Sequence, residues 1–155
     1  MSIATLRTAL YAAIEGITPT SAPGIRYTRQ VHARAPEDMG RLDVVPTRGV
    51  WLEVGPAQDA GLVFAAPIAR ALHQVTLHVT YADADVTWAD DGDLGALIAA
   101  EDSAQLISAL VPASAWSSAS TDVEVSQDVD LEDIVDGDRV VGRVMRLSLT
   151  AEVET

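Results

Sequence analysis

Between Arg139 and Val153 (RVVGRVMRLSLTAEV) the chain holds its longest unbroken alternation. Val141, Met145, Leu147, Leu149, Ala151 and Val153 fall on one parity; Gly142, Arg146, Ser148, Thr150 and Glu152 fall on the other. A period of two is the repeat of an extended strand with one face buried. The stretch therefore predicts a half-buried antiparallel strand and commits the chain to a sheet that needs an apolar cover. Arg143 breaks the pattern by sharing the parity of Met145 and Leu147. Either a bulge near Gly142 slips the alternation, or the buried face here gives way to a contact with another subunit. We carry the second reading forward.

The cover is expected from two helices. Ser2 can cap a helix in which Ile3, Leu6, Leu10 and Ile14 recur at spacings of three and four, ended by Gly16 and Pro19. Asp93 can cap a second helix running to Leu110, with Ile107 inward and Pro112 as its stop. Asp102 followed by Gln105 reads as another capping box, which would break that helix near Glu101 or start it at Asp102. Strands are expected at Ile25–Ala33, Arg48–Gly55 and Ala71–Tyr81, then from Val123, and finally at Arg139–Val153. Gly55–Pro56 and Ile134–Asp138 are the expected turns, with Asp136–Gly137 as a hairpin signal. On the third strand Val75, Leu77, Val79 and Tyr81 share a face, while Gln74, Thr76, His78 and Thr80 form a polar face able to meet water or a partner. Trp51 has the parity of Glu53, which places it outside the main core. Ala35–Thr47, with two prolines and a glycine, reads as a docking loop. The order α–β–β–β–α–β–β describes one α+β domain over residues 1–155, with helices on a mainly antiparallel sheet.

Charge is distributed unevenly. The net charge is -13, yet residues 1–70 hold seven Arg against six acids and residues 139–155 hold three Arg against two. Ala71–Asp138 holds fifteen acids and no Arg or Lys, so the middle carries the whole imbalance. Such a block repels phosphate and argues against binding nucleic acid or an anionic membrane through a basic patch. Zero cysteines exclude thiol catalysis and Cys-based zinc sites, and the absence of lysine excludes a Schiff base. No apolar run of bilayer length and no signal-like N-terminus is visible, which predicts an intracellular protein.

Catalytic chemistry finds little support. His73 and His78 are five apart and fall on opposite faces of one strand, and His32 lies elsewhere, so no histidine metal site is expected. Asp128, Asp130, Glu132 and Asp133 resemble the start of a calcium loop, but Asp133 stands where that loop turns on Gly. GxSxG, P-loop and GxGxxG motifs are absent. We expect no enzyme, no catalytic or metal site and no cofactor.

The element order, the short first helix, the long loop after the first strand, and the segment Ala99–Pro112 leading into Pro112-Ala-Ser-Ala-Trp116 resemble the tail terminator proteins of long-tailed bacteriophages and related gene-transfer particles. The resemblance spans nearly the whole chain in layout and rests on no diagnostic motif. It implies a structural virion protein of the tail or neck, assembled in the host cytoplasm. Copies would form a homo-oligomeric ring, usually a hexamer, that caps the tail tube protein and joins the head–tail connector, with no membrane involved. DNA would pass through without specific binding. On that footing Asp83, Asp85, Asp128, Asp130 and Asp133 are expected to line an acidic lumen, and Arg29, Arg34, Arg41, Arg48 and Arg143 to meet neighbouring subunits or tail proteins. The alternatives are a head-completion or connector adaptor of the phage neck, or a small-ligand-binding α+β domain.

Overall fold

The computed structural model describes residues 3–30, 46–59, 70–82, 94–111, 120–125 and 130–154. Helix α1 (Ile3–Glu15) precedes strands β1 (Thr28–Arg29), β2 (Gly49–Asp59) and β3 (Arg70–Ala82). Helix α2 (Leu94–Leu110) follows, then β4 (Ser120–Val125), β5 (Asp130–Asp136) and β6 (Arg139–Glu154). The class is α+β as expected, and the expected order holds with one strand more. The six strands form one sheet in the order β1-β2-β3-β6-β4, with β5 also paired to β6. All pairings are antiparallel except β1 with β2.

The long alternation becomes the hub of this sheet. β6 pairs from Gly142 to Glu154 with the whole length of β3 on one side, and on the other takes β5 at its first half and β4 at its second. Met145, Leu147, Leu149 and Ala151 are buried with Val75, Leu77, Val79 and Tyr81 of β3 and Val50 and Leu52 of β2. Leu6, Leu10, Tyr11 and Ile14 of α1 and Ile98, Ala99, Leu106 and Leu110 of α2 close over them. Each large aliphatic side chain so buried contributes about 1.5–3 kcal/mol relative to exposure. No helix among the described residues is long and apolar enough to cross a membrane.

Four expectations need correction. The first strand is described only at Thr28–Arg29: Ile25–Tyr27 do not join the sheet, and Val31–Ala33 of the expected strand lie outside the described residues. Gly55–Pro56 is a bulge inside β2, where the register shifts between Val54 and Ala57; a bulge is where a strand tolerates a residue without an N–H. Ile134–Asp136 belongs to β5, so the hairpin turn is only Gly137–Asp138, with Gly137 at φ 63. The Asp102–Gln105 capping box does not exist. Asp102 lies inside the continuous helix α2, on the buried stripe with Ile98, Leu106 and Leu110, and its carboxylate faces a buried arginine. Most of the expected docking loop at 35–47 and both Trp88 and Trp116 lie outside the described residues.

Candidate functional site

The densest polar construction lies where α2 meets the sheet. Arg48, just before β2, has φ 56 and a fully buried side chain. Its backbone is pinned from both sides: the Arg48 N–H donates to Thr80 O at 2.7 Å, and the Arg48 carbonyl accepts from the Thr28 N–H at 2.9 Å. Every guanidinium N–H has a partner. Nε and Nη2 grip the Asp102 carboxylate at 2.8 and 3.0 Å, Nη1 donates to the carbonyls of Ala22 and Ile25, and Nη2 donates to that of Ser21. Tyr81 adds a hydroxyl bond to Asp102 at 2.9 Å. Burial opposes the Arg48 charge, but the hydrogen bonds and charge of Asp102 outweigh it and hold the guanidinium pKa above its ordinary value. Burial first, then the Asp102 charge, raises the pKa of Tyr81 and of Tyr27 as well.

The same helix face holds the loop after α1. Gln105 Nε2 donates to Thr18 O at 2.6 Å, Gln105 Oε1 accepts from the Thr20 N–H, and Ser21 bonds Glu101. Glu101, Asp102 and Gln105, one helical turn, thus fasten residues 18–25 to the domain. With every donor of Arg48 satisfied from within the chain, this cluster is a clamp rather than a reaction centre.

The opposite face of the sheet carries the second polar group. Trp51 and His78 are register partners on β2 and β3, stacked at 4.6 Å between ring centroids and 2° between planes. His78 Nε2 is 3.3 Å from Glu53 Oε2, and His78 Nδ1 is buried with no partner among the described residues. Burial lowers the His78 pKa, against the Glu53 hydrogen bond, and the Arg146 charge lowers it further. Trp51 lies outside the main core as expected but is itself buried, in a smaller cluster with Ala82, Ile134 and Val144. The polar face of β3 is correspondingly less open than expected. Thr80 is buried and donates to Pro46 O at 2.7 Å, and His78 is buried beside it.

The expected interface and lumen residues divide. Arg48 is corrected outright as an interface residue, because its side chain has no exposed surface and all its donors bond within the chain. Arg29 is exposed on β1, its guanidinium 4.3 Å from the centroid of the Tyr11 ring. Arg143 stays partly exposed and engages Asp133 across the hairpin at 3.2 Å. A register shift does lie beside Gly142, which pairs with Ile134 while Val140 pairs with Val135; Arg143 keeps its place opposite Tyr81. Asp130 and Asp133 are exposed on β5 but do not form a bare anionic surface. Arg146 contacts Asp130 at 3.4 Å and also Glu132, and Arg143 contacts Asp133. Asp83, Asp85, Asp128, Arg34 and Arg41 lie outside the described residues.

Among the described residues no group of three or more His, Asp or Glu gathers to hold a metal. Asp130 and Glu132 project to one side of β5 and Asp133 to the other, as strand geometry requires, so they do not converge as a calcium loop would. The Arg48–Asp102 clamp went unforeseen, although it left one trace: an acid at a four-residue step from Ile98 and Leu106 on an apolar helical stripe. No family model matches this chain, and no curated protein matches it.

Proposed function

We propose that the chain is a structural ring subunit of the tail-terminator kind, capping a tail tube and letting DNA pass through an acidic lumen. The observation that carries this reading is the placement of the acidic block. Of its acids whose side chains are described, Glu101, Asp130, Glu132, Asp133 and Asp138 are exposed, and Asp102 alone is buried. Among the described residues, the acids of this stretch other than Asp102 are therefore surface charge, offset in part by Arg143 and Arg146 of β6, and the stretch holds no basic residue of its own. A conduit for a polyanion needs such a wall, since like charge prevents adsorption along the path.

The α+β layout supports the same reading. Purified protein added to growing tail tubes tests the proposal. Tube elongation should stop at one end, and tubes that lengthen undisturbed would refute it.

A further inference from the structure

We propose that copies of this chain meet head to tail through opposite edges of the sheet, the acidic β5 edge of one copy lying against the Arg-bearing α1–β1 edge of the next. The inference rests on the ring reading and names the surfaces that would close the ring.

Strand β5 ends the sheet on one side, and among the described residues its only partner is β6. A strand in that position presents unpaired backbone groups and invites another chain. Its side chains add two features. Leu131 and Val135 are 37 % and 51 % exposed, forming an apolar strip beside the edge. Asp133 stands between them on the same face, Asp130 and Glu132 project from the other, and although Arg143 and Arg146 pair with these acids, the hairpin from Asp130 to Arg146 carries five acids against three arginines.

The other side of the sheet has the opposite sign. β1 is two residues long and parallel to β2. Tyr11 of α1 sits beside it with two arginines on its ring, Arg29 at 4.3 Å and Arg7 at 5.7 Å from the centroid. Arg26 is tethered through Nη1 to Thr18 Oγ1 at 2.7 Å. Residues 1–30 hold three arginines and one acid, Glu15. The aromatic ring holds the guanidinium groups at the edge without neutralising them.

Two like edges would bring charge of one sign together, whereas unlike edges attract. Leu131 and Val135 supply the apolar part of the contact, with the charged residues of the hairpin between and beside them. A contact between two different patches is heterologous; it propagates from copy to copy and closes into a ring when the rotation allows. The competing reading is that the β5 acids only protect the edge from aggregation.

The absence of cysteine makes the test clean. Thr28 and Leu131 are both exposed. Separately purified full-length T28C and L131C are mixed in equal amounts and oxidised gently. The expected product is the heterotypic 28–131 disulfide, several-fold above either homotypic bond, with R29E in the T28C partner lowering its yield several-fold. Dominance of 131–131 bonds overturns the proposal. A closed oligomer without a 28–131 bond overturns the edge contact and leaves the ring reading standing. A chain that stays monomeric and unlinked at every concentration overturns both.

Discussion

Arg48 and Asp102, fifty-four residues apart in sequence, form a two-pronged ion pair with Nε–Oδ2 at 2.8 Å and Nη2–Oδ1 at 3.0 Å, both side chains sealed from solvent. A buried pair with every donor satisfied is not a large net source of stability over apolar residues of the same shape, but half of one is costly. Its evident effect is on arrangement, since one guanidinium joins α2, the loop after α1 and the start of β2.

R48M should therefore lower unfolding free energy by about 3–5 kcal/mol, because the Asp102 carboxylate is left buried without its cation. The double variant R48M/D102L should lose less than the sum of the two single losses, since both charges go together. Urea denaturation of the four proteins measures the coupling, and strictly additive losses would show that the two side chains act independently.

His78 gives the fold an acid-side pH dependence. Burial lowers its folded pKa, so the unfolded chain takes up the proton first, beginning near the ordinary value of about 6.5. Stability contributed by neutral His78 is present above that pH and is lost as pH falls through the folded pKa. H78Q should flatten the decline in midpoint between pH 7 and 5, and an unchanged slope would assign the decline to carboxylates.

On the alkaline side the sign reverses. Tyr81 and Tyr27 have raised pKa values, so the unfolded chain deprotonates first, above about pH 10. Their contribution is intact below that pH and falls above it. Y81F should reduce the alkaline slope while lowering stability at pH 7 by about 1–3 kcal/mol, through loss of the bond to Asp102.

Gly49 is required for space. A Cβ there would lie 2.6 Å from Pro46 Cγ and 2.8 Å from Thr80 Oγ1, while one at Gly24 would meet nothing within 4 Å. G49A should cost about 1–3 kcal/mol and G24A far less, as read by thermal or urea unfolding.

What could be read from the residues follows from how local each determinant is. The β6 and β3 faces were legible because burial of Val75, Leu77, Met145 and Leu147 obeys a period of two that needs no knowledge of partners. The α1 stripe was legible for the same reason at its own period. Asp102 was misread because an acid followed three residues later by Gln satisfies the capping pattern, whereas its actual partner lies on another element. β1 was overextended at its start, because alternation at Ile25 and Tyr27 does not show whether another strand is there to pair with them. The split between β4 and β5 depends on how β6 shares one of its edges between two strands, and alternation within either strand cannot show that. At the surface, the acids of β5 were legible as charge but not as partners of Arg143 and Arg146, because those pairings depend on hairpin register.

Electron microscopy of the protein mixed with tail tubes tests the ring reading most directly. The account predicts a closed ring of identical subunits seated on one end of the tube, with a central opening wide enough for duplex DNA. Bare tube ends beside a protein that stays monomeric would contradict it.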